Sequence, residues 1–487
     1  MTTSVRNSPV LVERGLRALA DPPGWLLDAA APGRVHAALE RTVPEFVSGS
    51  LRLVATDVGS VRAKGSGWQG TYRLSVQDPG SGATERIDLA VEIATDDRLP
   101  RHPPVETRFG TPGWRGAIPS MRAALTAVEP EDAALPSLST LTDPDGSRAL
   151  LERAIREGTR RDEDFSIIRC MPRVARYKPG SRCTIVYELG LPDGSLERGW
   201  PSTVVAKTYH GGKGLQAFAA MKMLWQSPLR RTGRVAIAEP LAFLPDENVL
   251  VQGPVPGTRT IKDLLLAPDD VDCSSPGLLD RSVRRAGRGL ADLHGCGVTP
   301  LVAVTWEDEY LDAARLIERV HSAIPTLAAA VQPLLEWIGE LADACPPDPS
   351  GPAHGSFRPA QVMLDGESAG FIDFDGFCSA EPALNVALFR ATVRDMGLRG
   401  LRLTEPSAAA AARARRIDEL DALCLAFSEE YEATAGVSRA RVALWEALSL
   451  LNLSLHCWTK AKFDLLDDRL ELLRRHLLTG ELPGNTR

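Results

Sequence analysis

The sequence is poor in lysine and lacks the cysteine and histidine patterns that bind structural metals. Only eight of its 56 lysine and arginine residues are lysine. The eight cysteines form no CxxC pair, and the eight histidines show neither HxxxH nor HExxH spacing. A zinc site is therefore not expected. Cysteines scattered in this way indicate buried thiols in a reducing cytoplasm.

The sequence also lacks a run of about 18 apolar residues, the length that a membrane-spanning helix needs. Positions 1–13 are polar and contain no apolar core of signal-peptide length. The most apolar segment, 442–458, is interrupted by Glu446, Asn452 and His456, which predicts a buried helix. We therefore expect a cytoplasmic protein that does not bind a membrane.

Composition and charge exclude a further class of partner. An apolar fraction of 44% and a charged fraction of 24% are typical of globular proteins. A chain of 487 residues is long enough for two or three domains. The formal net charge of −7 argues against a nucleic-acid partner, because such a partner requires a basic binding face.

Hydrophobic periodicity predicts helices first and then a β segment in the N-terminal third of the chain. Residues 1–45 show helical periodicity, interrupted by prolines. Residues 52–95 alternate between polar and apolar side chains and contain a turn, which predicts a β-hairpin. The composition of 97–150 is that of a connecting region, with a short helix expected at 121–128.

A second β segment and a long helical region complete an α+β pattern. Everything beyond residue 260 has helical periodicity, except a patch at 353–382. We predict three domains, at 1–150, 151–257 and 258–487. The predicted elements of the middle domain are strands at 174–177, 183–189, 202–208, 234–243 and 248–252, and a helix at 215–226.

The two β segments resemble each other. Residues 58–65 align with 173–180, and the strands and turns that follow keep similar offsets. This similarity indicates either an internal duplication of a three-stranded unit or a chance likeness of two β-meanders. The first segment has Glu92 where the second has Lys207, so only the second is expected to bind a phosphate.

The most specific motif lies in the patch at 353–382. It reads HGSFRPAQVML at 354–364 and GFIDFD at 370–375. This pattern resembles the aminoglycoside phosphotransferases and their kinase-like relatives, which include small-molecule kinases acting on choline, homoserine or sugars. Their catalytic loop has the form H-G-D-x-x-x-x-N and is followed by a strand and I-D-x-D or I-D-x-E. The resemblance covers about residues 165 to 400.

The resemblance implies a two-lobed, protein-kinase-like fold with a β-rich N-lobe and a helical C-lobe, preceded by an extra N-terminal α/β region. It also implies ATP and Mg²⁺ as cofactors. Asp373 and Gln361 are the expected metal ligands, and His354 is expected to be structural. The residues expected to contact the nucleotide are Lys207 in the third strand, Lys178 in the nucleotide-covering turn, and Gln252 and Gly253 in the hinge.

Three departures from the family pattern leave the activity open. Ser356 replaces the catalytic aspartate, and Gln361 replaces the metal-binding asparagine. The helix at 215–226 contains no acidic partner for Lys207, so Gln216 is the nearest polar candidate. The chain is then either a phosphotransferase that uses another base, such as Asp375 or a group of the substrate, or a pseudokinase that acts as a regulatory or scaffold subunit. For the enzyme, the acceptor would be a hydroxyl of a small molecule or a peptide side chain.

Overall fold

The computed structural model describes residues 8–95, 107–128, 132, 134–159, 165–267, 277–366, 368–401, 406–479 and 482. The chain divides into two compact units, each assembled from separate segments. The first unit consists of Met1–Glu131, Trp306–Pro346 and Glu446–Arg487, and the second of Asp132–Thr305 and Pro347–Trp445. The domain boundaries placed at residues 150 and 257 follow the sequence pattern and stay predictions.

The helices confirm most of the expected helical segments, including 1–45, 215–226 and 442–458. Among the described residues, none of them combines the length and apolar character of a membrane-spanning helix. In chain order they are α1 (Ser8–Leu19), α2 (Gly24–Ala30), α3 (Pro32–Thr42), α4 (Pro44–Val47), α5 (Leu138–Thr142), α6 (Pro144–Thr159), α7 (Lys213–Gln226), α8 (Pro228–Thr232), α9 (Ile261–Leu266), α10 (Leu278–His294), α11 (Trp306–His321), α12 (Pro325–Asp343), α13 (Pro382–Arg399), α14 (Pro406–Glu432), α15 (Arg439–Thr459) and α16 (Leu466–Thr479).

In chain order the strands are β1 (Arg52–Val58), β2 (Arg62–Lys64), β3 (Gly67–Gln77), β4 (Thr84–Ala94), β5 (Arg115–Ile118), β6 (Ala123–Val128), β7 (Arg169–Lys178), β8 (Arg182–Gly190), β9 (Thr203–Tyr209), β10 (Val235–Ile237), β11 (Pro240–Leu244), β12 (Val249–Gln252), β13 (Arg259–Thr260), β14 (Gly351–Ala353), β15 (Val362–Asp365), β16 (Ser368–Phe371) and β17 (Cys378–Ala380). Strands β1–β4 and β7–β12 overlap the segments predicted as β structure, although 234–243 is divided as described below. Strand β6 replaces a predicted helix, and β5 and β13 were not predicted. Each described cysteine is a free thiol, and Cys273 lies outside the described residues.

The first unit contains an antiparallel sheet with the strand order β1-β3-β4-β6-β5, in which β2 also pairs with β3. Alternate residues of β3 and β4 are buried, among them Trp68, Tyr72 and Leu89. Tyr72 Oη donates a hydrogen bond to the carbonyl of Ala29 at 2.8 Å, so the last turn of α2 is tied to the sheet. The buried face therefore packs against the N-terminal helices of the same unit.

The expected helix at 121–128 is wrong, because most of it is strand β6. Ala and Leu favour a helix locally, but here the backbone pairs with β4 on one side and β5 on the other. Ala123, Leu125 and Ala127 are buried in the sheet. Two flanking strands and a buried face outweigh a propensity difference of less than about 1 kcal/mol per residue.

The second unit contains a five-stranded antiparallel sheet with the order β11-β12-β9-β8-β7. One face packs against α5 and α6 through buried residues such as Leu151, Ile155, Ile185 and Tyr187. The segment expected as one strand at 234–243 is two strands that belong to different sheets. Strand β10 pairs in parallel with β16, whereas β11 pairs with β12.

The six-stranded sheet of the first unit and the five-stranded sheet of the second have the same strand order when β2 is left out. The strand order is β1-β3-β4-β6-β5 in the first unit and β7-β8-β9-β12-β11 in the second. In both sheets three strands are neighbours in chain order, and the last two strands follow in reversed order. This shared order supports, at the level of topology, the similarity between the two β segments. A common origin by duplication stays a hypothesis.

The remainder of the second unit is mainly helical and carries two small strand pairs. Strand β14 pairs with β17, and β15 pairs with β16. The loop between β14 and β15 and the turn between β16 and β17 therefore lie side by side. A β-sheet followed by helices that enclose these two loops confirms the predicted kinase-like α+β class.

Candidate functional site

The loop at 354–361 and the turn at 372–376 are in direct contact. The amide of Ile372 donates to the carbonyl of Gln361 at 3.1 Å. Gly355 has a φ of +75°, and a Cβ on it would lie only 1.9 Å from the carbonyl oxygen of Gly376. Both the backbone conformation and the close approach require glycine here. The HG dipeptide of the motif thus brings Ser356 next to the turn at 372–376.

His354 has the structural role that the resemblance implies. Its ring is fully buried, and Nε2 donates to the carbonyl of Ile372 at 3.0 Å. Its backbone amide donates to Asn385 Oδ1 at 2.7 Å, and Asn385 Oδ1 also lies 3.2 Å from Nε2 of His294. Burial lowers the pKa of His354 to about 4. The imidazole is therefore neutral near pH 7 and fixes the end of the strand that leads to Asp373.

Asp373 is the first of the two aspartates in the turn at 372–376, here called the acidic turn, and its backbone is left-handed with a φ of +72°. Its Oδ1 is 2.8 Å from Lys207 Nζ and 3.6 Å from Arg182 Nη1. Burial raises the pKa of the Asp373 carboxyl, but Lys207 and then Arg182 lower it by more. The net effect is a pKa well below the ordinary value, so Asp373 is an anion.

Asp375 is enclosed by hydrogen-bond donors. Its Oδ2 accepts from Arg182 at 2.8 Å, and its Oδ1 accepts from Tyr209 Oη at 3.0 Å and lies 3.5 Å from Lys207 Nζ. Burial, reinforced by the charge of Asp375, raises the pKa of Tyr209 above its ordinary range, so this phenol remains a donor. Both oxygens of Asp375 are therefore occupied by donors of the second unit's sheet.

Ser356 and Gln361 form a polar pair beside the acidic turn. Gln361 Nε2 donates to Ser356 Oγ at 3.2 Å. Gln361 is 9% exposed, and its Oε1 has no hydrogen-bond partner within the described part of the chain. A buried amide oxygen without a donor, on a residue whose carbonyl accepts from the amide just before Asp373, fits the oxygen ligands that Mg²⁺ prefers. The residues present therefore fit one divalent ion at Asp373 and Gln361.

The predicted nucleotide contacts lie on the same sheet as Lys207. Lys178 ends β7 opposite Arg182, and Gln252 ends β12 opposite Val205. Gln252 is buried. The amide of Gly253 already donates to the carbonyl of Glu239 at 2.8 Å, and this bond occupies the N–H that the hinge resemblance offered to adenine.

Lys207, Arg182, Tyr209, Asp373 and Asp375 form one charged cluster. Sequence reasoning missed two of its members, Arg182 and Tyr209. They lie directly opposite each other in β8 and β9, and Tyr209 follows Lys207 by two residues. Because side chains alternate between the two faces of a strand, Arg182, Lys207 and Tyr209 lie on one face of the sheet. This alternation is the sequence signal that could have identified Arg182 and Tyr209. The cluster also supplies the acidic partner that α7 lacks, since Lys207 pairs with Asp373 instead.

The nucleotide-covering turn is anchored by a residue that lies before the resembling segment. Asp132 Oδ2 accepts from the amide of Gly180 at 2.8 Å and from Tyr177 Oη at 2.9 Å. Gly180 has a φ of +65°, which suits glycine at the tip of a turn. The connecting region thus contributes to the shape of the site.

Comparison with known proteins supports the same class. Residues 205–427 match the model of the phosphotransferase enzyme family, APH. This segment is just under half of the chain, and it contains Lys207, the 354–361 loop and the acidic turn. The match confirms the family resemblance over residues 205–427. No protein of curated function matches the sequence.

Solved structures with similar folds are distant. A choline/ethanolamine kinase family protein from Mesorhizobium loti is 17% identical, with a TM-score of 0.41, and the match covers 63% of this chain and 89% of that one. Amicoumacin kinase hAmiN, solved with AMP-PNP and Ca²⁺, is 12% identical, with a TM-score of 0.41 and coverages of 64% and 90%. A glucosamine kinase, solved with glucosamine, ADP and phosphate, is 17% identical, with a TM-score of 0.41 and coverages of 95% and 100%. Likeness at this level assigns neither a substrate nor an activity.

The contact between Gly355 and Gly376 can be tested by substitution. We expect Gly355→Ala to destabilise the protein by about 2–4 kcal/mol, because the new Cβ meets a carbonyl and the backbone is left-handed. Gly366→Ala is the matched control, since Gly366 also has a positive φ of +52° but nothing lies within 4 Å of its Cβ position. The control should cost about 1 kcal/mol. Equal losses in thermal unfolding of the two variants would show that the close approach is unimportant.

Proposed function

We propose that the second unit binds Mg-ATP and transfers the γ-phosphoryl group to a hydroxyl of a small molecule or a peptide side chain. The observation that carries this proposal is the pairing of Lys207 with Asp373 at 2.8 Å and with Asp375 at 3.5 Å. Lys207 and Asp373 are 166 residues apart in sequence. Phosphoryl transfer needs a phosphate-binding cation beside a metal-binding carboxylate.

Each residue has a defined part in this proposal. Lys207 binds the phosphates, and Asp373 and the Oε1 of Gln361 hold Mg²⁺. A bound ion would supply positive charge that offsets the negative charge of the phosphates. Lys178, Gln252 and Gly253 surround the nucleotide, with Gln252 and the carbonyl of Gly253 nearest to the adenine edge.

Ser356 occupies the position that faces the acceptor. Its Oγ already accepts from Gln361, so the serine hydroxyl retains a proton to donate to an acceptor oxygen. It orients the acceptor but cannot act as a base at neutral pH without an activating partner. Loss of a general base costs about 10²–10⁴ in rate. Because positioning and electrostatics dominate phosphoryl transfer, slow turnover with proton loss to the substrate or solvent is consistent with this site.

The enclosure of Asp375 favours a second candidate. With three donors on its oxygens, Asp375 is not a free base, and Ser356 does not replace one. The alternative is a pseudokinase that binds nucleotide or a partner protein and acts as a regulatory or scaffold subunit. Both candidates share the nucleotide site and differ in turnover.

Nucleotide binding should be visible as stabilisation. Mg-ATP at 100 times its dissociation constant should add about 2.7 kcal/mol to the free energy of unfolding, measured as a rise in the unfolding temperature. Asp373→Asn should remove the part of the rise that depends on Mg²⁺. Asp365→Asn, an exposed position on the neighbouring hairpin, should leave it unchanged. A folded protein that shows no shift with millimolar ATP, with or without Mg²⁺, would exclude the nucleotide site.

Substitution of Ser356 separates the two candidates. If the site has only lost its base, Ser356→Asp should raise phosphate release or acceptor phosphorylation by less than the full 10²–10⁴. If the chain has its own mechanism around Ser356, the new carboxylate close to Asp373 should lower activity. Ser356→Ala and Asp373→Asn serve as reference and background. Turnover at background level in wild type and in both Ser356 variants would leave the pseudokinase as the remaining candidate.

A further inference from the structure

One face of the five-stranded sheet of the second unit carries several lysine and arginine side chains, and these bear on whether ATP binding needs a metal ion. Resting on the nucleotide site proposed above, we propose that Lys207, Arg182 and Arg176 together bind the triphosphate, so that ATP binding does not require a divalent ion. The metal at Asp373 then serves transfer rather than affinity. Arg182 and Arg176 are assigned here as phosphate-binding residues.

Strand register places the three cations on one face. Arg176 lies directly opposite Thr184, and Thr184 lies directly opposite Lys207. Residues directly opposite in antiparallel strands point to the same side, and so do residues two apart in one strand. Arg182 precedes Thr184 by two residues and therefore shares that side. Arg176 and Lys207 lie level with Thr184 across the strands, and Arg182 lies one step further along β8 on the same face.

Over the ranges that the structure describes, Lys207 and Arg182 are paired with carboxylates, whereas Arg176 is not. Lys207 and Arg182 are held by Asp373 and Asp375 at 2.8–3.6 Å, which orients them without cancelling every donor. A guanidinium has five N–H donors and binds phosphate with two of them at once. Arg176 is exposed and has no carboxylate partner among the residues that the structure describes. Its charge is therefore available to a ligand.

A count of charges indicates why the metal requirement changes. Relative to the family pattern, two carboxylates are missing: the catalytic aspartate is Ser356, and α7 contains no acidic residue to pair with Lys207. Two cations, Arg182 and Arg176, lie on the phosphate-facing side. The two missing carboxylates shift the local charge by about +2, the charge of one Mg²⁺ ion. The protein itself thus supplies the charge that the triphosphate needs.

The experiment is calorimetric titration of the full chain with ATP, once with excess Mg²⁺ and once with a chelator. Wild type should bind ATP in the chelator within about tenfold of its affinity with Mg²⁺. In the chelator, Arg182→Gln should weaken binding about ten- to hundredfold, as expected for lost charge-assisted hydrogen bonds. Arg176→Gln, at an exposed position, should weaken it about three- to tenfold. AMP should bind far more weakly than ATP in every variant.

Two controls keep the outcome interpretable. Arg169 lies opposite Gly190 and shares the face of Arg176, because a bulge between Val174 and Arg176 shifts the register of β7. Arg169→Gln removes this exposed arginine and should leave ATP affinity unchanged. Arg182→Lys keeps the charge but loses the two-pronged geometry, so it should fall between wild type and Arg182→Gln. Unfolding temperatures identify any variant that fails to fold, and Arg176→Gln remains informative because its side chain is exposed.

The possible results separate this inference from the proposed function. Binding of ATP only when Mg²⁺ is present would overturn the inference and leave the phosphotransferase site intact. Equal losses in Arg169→Gln and Arg176→Gln would also overturn it, because they would indicate non-specific attraction to a basic strand. No ATP binding under either condition would remove the nucleotide site itself.

Discussion

The ion pair between Lys207 and Asp373 is the interaction on which the rest of the site depends. Lys207 comes from the middle of a sheet, and Asp373 from a turn 166 residues later, so neither charge has a local reason to be buried. An isolated buried charge is costly, whereas a paired and hydrogen-bonded one is tolerated. Each residue therefore makes the burial of the other possible. Arg182 and Tyr209 complete the arrangement by satisfying Asp375.

The pairing of these cations and anions also explains why the site stays ordered without two carboxylates that the family pattern has. The described cluster has two cations and two anions in mutual contact, and it is oriented before any ligand arrives. Catalysis of phosphoryl transfer depends mainly on such positioning. Ser356, at the position where the resembling family has its catalytic aspartate, leaves this charge arrangement in place. The two proposed functions, enzyme and pseudokinase, therefore differ only in whether phosphoryl transfer follows nucleotide binding.

The first unit shows that topology alone does not make this site. Its sheet has the same strand order as the sheet of the second unit. The residue that matches Lys207 is Glu92, which is exposed on β4, and a carboxylate at that position repels phosphate. Function here depends on particular side chains placed on a fold, as is general for folds that host many activities.

The sequence by itself determined the class of fold, the loop and turn that carry Ser356, Gln361 and Asp373, and the strand position of Lys207. The α+β pattern and the strand position of Lys207 follow from local periodicity, and the loop, the turn and the kinase-like fold follow from the resemblance of the motif at 354–375 to a known family. Only the tertiary structure decided that residues 121–128 form a strand, because pairing with β4 and β5 overrides local propensity. It also decided that Arg182 and Tyr209 meet Asp375, since cross-strand register brings together residues that are far apart in the chain.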